Sequence, residues 1–144
     1  MAAVVLDTNV LVSALIKPAS IPEFVFQLAL EHPDIQLCFS TDIYAEYEAV
    51  LAYAKFASRI RDRYKREALS AITDMGRRVS VKNTAHPTLT DPSDEKFLAC
   101  AIAAHADFLI TGNVKHFPKT FRYVSVVTPR AFLDAITDSL PAAA

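Results

Sequence analysis

Short apolar runs alternate along the chain with stretches whose apolar residues recur every three to four positions. Residues 2–6, Ala2-Ala3-Val4-Val5-Leu6, are apolar throughout, as in a strand buried on both faces of a parallel sheet. The run stops at Asp7-Thr8-Asn9, three residue types that cap helices, and residues 10–16 then read as helix. Pro18 and Pro22 bracket a turn before a second helix over 23–31. Residues 36–39 read as the second strand. Ser40-Thr41-Asp42 opens a helix to about Tyr53, with Ile43, Tyr47, Val50 and Ala54 as its apolar stripe. Ile60, Tyr64, Ala68 and Ile72 predict a helix over 59–75, with Gly76 as its stop. Residues 79–81 are a candidate short strand, and 83–92 a polar loop. Asp91-Pro92-Ser93-Asp94 joins a cap, a proline at the first helical position and an acid three residues on, opening a helix to about His105. Residues 107–111 and 123–127 read as the last two strands, and Thr128-Pro129 caps a helix ending near Asp138.

Strands alternating with helices imply an α/β fold with a mainly parallel sheet. At 144 residues the chain is read as one domain over 1–139, with 140–144 a frayed tail. In such sheets ligands bind beyond the carboxyl ends of the strands. Asp7 follows the first strand, and Asn113 lies just past the strand ending at Thr111. Asp94 sits in the first turn of the helix feeding that strand, and Glu46 lies one turn into the helix after the second. Each has an ordinary alternative: Asp7 a helix cap, Asp94 a capping-box acid, Glu46 a solvated helix residue, Asn113 a turn residue. On the helical wheel Glu48 is as marginal as Glu46. As a set they say more, because converging carboxylates repel unless a cation sits among them, and hard oxygen ligands suit Mg²⁺ or Mn²⁺.

Composition narrows the chemistry. The apolar fraction is 52%, which leaves apolar surface for a homodimer interface. Only Gly76 and Gly112 are present, too few for a glycine-rich phosphate loop. Cys38 and Cys100 both lie in apolar surroundings and read as buried free thiols. The four histidines show no HxxxH spacing, so zinc is not expected; His105 is expected to interact with a helix dipole. No apolar run is long enough for a membrane span and no basic start precedes an apolar stretch, so the cytoplasm is the expected location. The net charge is −1, but residues 55–82 hold nine Lys/Arg against three Asp/Glu. Lys55, Arg59, Arg61, Arg63, Lys65 and Arg66 are therefore candidate contacts to a polyanion, with a solvated helix face as the plain alternative.

Four segments resemble the motifs of the PIN-domain family of ribonucleases. They are Val5 through Ser13 around Asp7-Thr8-Asn9, Ile43-Tyr44-Ala45-Glu46-Tyr47, Asp91 through Leu98 followed by Ala101, and Ala106 through Asn113. The last three look most like the branch of toxin components of type II toxin–antitoxin systems. The resemblance implies a Rossmann-like three-layer α/β/α sandwich and Mg²⁺- or Mn²⁺-dependent hydrolysis of RNA. It favours Glu46 over Glu48 and Asp94 over Asp91 or Glu95. It casts Asp7, Glu46 and Asp94 as catalytic metal-binding acids, with Asn113 at a fourth metal position that is often Asp. An acid sometimes found slightly later is here His116. The neutral Asn113 weakens any second metal site. Thr8, Asn9 and Thr111 are expected to orient ligands or phosphate oxygens. A small antitoxin protein is the implied partner. The alternative reading is a non-catalytic PIN-like module that binds RNA or a partner. An aspartate-nucleophile phosphatase is disfavoured because Asn9 stands where a second acid is needed.

Overall fold

The structure, a computed structural model, describes residues 1–82 and 88–137. The first half of the expected 83–92 loop, residues 83–87 with His86, and the expected tail lie outside the described residues. Six strands, β1 (Ala2–Leu6), β2 (Ile35–Phe39), β3 (Arg77–Arg78), β4 (Phe108–Ile110), β5 (Thr120–Phe121) and β6 (Val124–Val127), form one sheet in the order β3-β2-β1-β4-β6-β5. All pairings are parallel except β5 with β6. The helices are α1 (Thr8–Ile16), α2 (Ile21–Glu31), α3 (Thr41–Leu51), α4 (Asp62–Met75), α5 (Glu95–Ala103) and α6 (Pro129–Thr137).

The apolar run of β1 lies at the centre of the sheet because both its faces are covered. Val4, Val5 and Leu6 are almost wholly buried between β2 and β4. Helix α5 packs on β1, β2 and β4, whereas α2 packs on β2 and α6 on β4 and β6, touching each other. Right-handed crossovers put α5 on one face and α2 on the other. The result is the expected three-layer α/β sandwich. Chain order reverses beside β1, whose neighbours are β2 on one side and β4 on the other. That is the crevice where such sheets bind ligands.

Element ends depart from the sequence reading where tertiary contacts decide them. The third strand is Arg77–Arg78, pairing with Cys38 and Phe39, and not the apolar 79–81. Gly76 lies against the Phe39 ring, so the residues that follow it at once fall beside the end of β2. Arg77 then donates to the Ala104 carbonyl at 3.1 Å, and the Arg78 guanidinium lies 5.5 Å from the Phe39 ring centre. Gly76 itself is extended, at φ −82° and ψ 162°, and not left-handed as a glycine stop usually is. After α5 the left-handed position is taken by His105, at φ 52°, as Ala19 and Arg122 take it elsewhere. It closes α5 with two bonds, Ala106 N–H to the Ala101 carbonyl at 2.8 Å and His105 N–H to the Ile102 carbonyl at 3.1 Å. At the C-terminal end of α5, where the sequence placed it, its ring also stacks on Tyr123 at 5.0 Å. The two-residue β5 has no apolar pattern to announce it. Cys38 and Cys100 are buried free thiols, and burial pushes the Cys100 thiol up to about 12.

A Cβ at Gly76 would stand 2.5 Å from the Ile72 carbonyl oxygen and 3.0 Å from the Phe39 ring. Gly76→Ala should therefore destabilise the fold by about 2 kcal/mol in urea unfolding, as overpacking does; an unchanged midpoint would contradict this packing.

Candidate metal site at the carboxyl end of the sheet

Asp7 is fixed by the backbone ladder before its side chain is considered. Its N–H donates to the Ile110 carbonyl at 2.9 Å, and Thr111 N–H to the Val127 carbonyl at 2.9 Å. The ends of β1 and β4 thus bring the two side chains together, and Thr111 Oγ1 donates to Asp7 Oδ2 at 2.7 Å. Thr111 is fully buried and Asp7 is 6% exposed. Asn9 Nδ2 lies 3.4 Å from the same Asp7 oxygen, while Asn9 Oδ1 accepts from Gly112 N–H at 3.1 Å. Asp7 stands at the N-cap position of α1 but makes no side-chain capping bond.

Helix α3 brings the second acid. The buried Tyr47 donates its hydroxyl to the Leu6 carbonyl at 2.5 Å, tying α3 to the end of β1. Glu46, one residue earlier, turns inward and its side chain is 21% exposed, whereas Glu48 is exposed. Thr8 Oγ1 donates to Glu46 Oε2, and Lys96 Nζ lies 2.6 Å from Glu46 Oε1. The third acid begins α5. Asp91 is the residue that caps, accepting from Ser93 N–H at 3.0 Å and Ser93 Oγ at 2.8 Å. Asp94 makes no capping bond. Its Oδ2 is, among the described residues, a buried side-chain oxygen with no hydrogen-bond donor, although His116 Nδ1 stands 3.4 Å away.

The electrostatics show that the acids share one neighbourhood. Burial raises the proton affinity of the Asp7 carboxyl, the Thr111 hydrogen bond opposes this, and the charges of Asp94 and Glu46 raise it further. Burial also raises the Asp94 carboxyl, as do the charges of Asp91 and Glu46, against the lowering effect of His116. These are carboxylates kept close at a cost. The donor set of hard oxygens, with one buried oxygen left without a partner, fits a divalent cation such as Mg²⁺ or Mn²⁺. Among the described residues no three of His, Cys, Asp and Glu already stand in metal-binding geometry. Thr8 and Lys96 already occupy both oxygens of Glu46.

The remaining sequence candidates fall in different places. Thr8, Asn9 and Thr111 gather at the acids and hydrogen-bond to their carboxylates. Asn113 is exposed; its N–H donates to Thr111 Oγ1 at 3.0 Å, and no side-chain hydrogen bond to the acids is found among the described residues. The basic candidates stand on their own surface. Lys55 lies in a short 3₁₀ turn, 5.1 Å from the Phe56 ring centre, and Arg59 and Arg61 precede α4. Of those on α4, Arg63 pairs with Glu67 at 2.9 Å and Lys65 with Asp62 at 3.7 Å, while Arg66 is exposed. Lys96 was not singled out by the sequence. Its reach to Glu46 crosses fifty residues of chain, and only its place two residues after Asp94 hinted at it.

An acid cluster at the chain-order reversal of a mainly parallel sheet lies where α/β domains bind their ligands. The family model described as "PIN domain" matches residues 3–115, and the chain belongs to the PIN-domain family. The fold is also similar to a solved structure, a chain in the crystal structure of VapBC2 from Rickettsia felis bound to a DNA fragment from their promoter. The two share 15% identity at a TM-score of 0.58, over 86% of this chain and 98% of that one. No curated protein gives a significant sequence match.

The raised Asp7 carboxyl sets a pH dependence. The folded protein keeps the Asp7 proton to a higher pH than the unfolded chain, for which the ordinary value is 3.8. Stability is therefore lost as pH rises from that value through the folded one. Asp7→Asn cannot ionise, and its amide oxygen can still accept from Thr111. In EDTA it should melt at the same temperature as the wild type near pH 3 and a few degrees higher near pH 7. A variant that melts lower at pH 7 would contradict the buried charge.

Proposed function

We propose that this PIN-domain chain is a metal-dependent ribonuclease that hydrolyses RNA phosphodiester bonds in the cytoplasm as the toxin of a toxin–antitoxin pair. The observation that carries the reading is a buried Asp94 oxygen that, among the described residues, has only His116 Nδ1 at 3.4 Å beside it, next to a buried Asp7 held in place by Thr111. Asp7 and Asp94 would hold Mg²⁺ or Mn²⁺, with Glu46 completing the set directly or through water. A metal there supplies positive charge that acidifies an attacking water and offsets charge on the scissile phosphate. One of the carboxylates would accept the water proton. Thr111 and Asn9 keep Asp7 aimed into the pocket, and Thr8 does the same for Glu46. Asn113 contributes at most a neutral oxygen. The basic residues Lys55, Arg59, Arg61 and Arg66 offer RNA a cationic surface.

Similarity to a chain of VapBC2 supports the toxin role and a small protein partner. An apolar groove of about 460 Å³ among α1, α2 and α4 suits such a partner; Ala14, Leu15, Phe26 and Leu30 line it together with Glu23, Glu31 and Glu67. A second reading, a PIN domain that binds RNA or a partner without cutting, is favoured by one observation. Both Glu46 oxygens are already engaged by the chain itself.

Cleavage of a mixed RNA substrate separates the two readings. The wild type should cut with Mg²⁺ or Mn²⁺ and not in EDTA, and Asp7→Ala, with unchanged circular dichroism, should not cut. Metal-dependent cleavage by pure Asp7→Ala would remove this site from the reaction.

A further inference from the structure

The ion pair between Lys96 and Glu46 is not a surface pair. Its side chains are 25% and 21% exposed, and the nitrogen stands 2.6 Å from the carboxylate oxygen. It joins two elements that each carry an acid of the pocket, α3 with Glu46 and the start of α5 with Asp94. The first turn of α5 thus delivers a negative and a positive group to one place. Thr8 occupies the other Glu46 oxygen, so any cation approaching Glu46 meets a fixed ammonium first. Charge balance points the same way. Asp7, Glu46 and Asp94 carry three negative charges, Asn113 adds none, Lys96 removes one, and beside Asp94 the acid Asp91 is opposed by the imidazole of His116. A single divalent ion neutralises what remains, and a second would leave the pocket with excess positive charge.

We infer that Lys96 is a positioning residue that serves as the second cation of the acidic site, pairing with Glu46 so that the pocket binds one divalent ion. The inference rests on the ribonuclease reading. Lys96 holds Glu46 aimed while leaving Asp7 and Asp94 to the metal. An ordinary tie between α3 and α5 would stabilise the fold equally with or without metal; a second cation competes with metal, since charges this close and half-screened interact strongly.

Calorimetric titration with Mn²⁺ of the wild type, Lys96→Met and Lys96→Arg tests this, with melting in EDTA confirming that each is folded and Lys96→Gln replacing a methionine variant that is not. The wild type and Lys96→Arg should bind one equivalent with similar affinity. Lys96→Met should bind roughly tenfold more tightly, because a competing charge is gone. Two equivalents in the wild type would overturn the inference, as would equal affinity in Lys96→Met, or an arginine variant that behaves like methionine. In those three outcomes the ribonuclease reading stands. Absence of binding in every protein would overturn that reading and the inference with it.

Discussion

Three carboxylates are held in one neighbourhood at the ends of β1, α3 and the turn before α5, and the arrangement of this end of the molecule follows from managing their repulsion. A buried, unpaired carboxylate is costly, and two more nearby increase the cost. The chain offsets this piecemeal. Thr111 donates to Asp7, Thr8 and Lys96 satisfy Glu46, and His116 stands near Asp94. One oxygen of Asp94 is left without a donor. A fold selected only for stability would place an apolar group or a capping residue there. On the reading proposed above, that oxygen is left for a cation.

The backbone makes the gathering possible. Thr111 meets Asp7 because β1 and β4 are parallel neighbours ending at the same level. Tyr47 reaches the Leu6 carbonyl and sets the rotation of α3, which turns Glu46 inward and Glu48 outward. The start of α5 separates two duties that a capping box would merge. Asp91 caps with Ser93, which frees Asp94 for the pocket.

Much of this was legible in the sequence, because it depends on local patterns. The apolar run before Asp7 marked the central strand, and the spacing of apolar residues marked every long helix. The acids could be named because strand ends in parallel sheets are where ligands bind, and because their motifs resemble those of PIN domains. What could not be read was set by contacts between distant segments. The third strand shifted from 79–81 to Arg77–Arg78 because Gly76 packs on Phe39. The helical wheel alone did not choose Glu46 over Glu48, as the resemblance did, because the rotation of α3 is set by Tyr47 reaching the Leu6 carbonyl. Lys96 lay within a recognised motif, yet its pairing depends on a three-dimensional approach of α5 to α3 that no periodicity encodes. Asn113 was expected at the acids, and its side chain makes no hydrogen bond to them among the described residues.

The central claim is that the acids form one cation site. Anomalous diffraction from crystals soaked in Mn²⁺ tests it most directly. The account predicts a peak about 2.1–2.3 Å from carboxylate oxygens of Asp7 and Asp94, with the Asp94 oxygen that now lacks a donor among the ligands. A well-occupied peak elsewhere, with these two carboxylates unliganded at millimolar Mn²⁺, would contradict it.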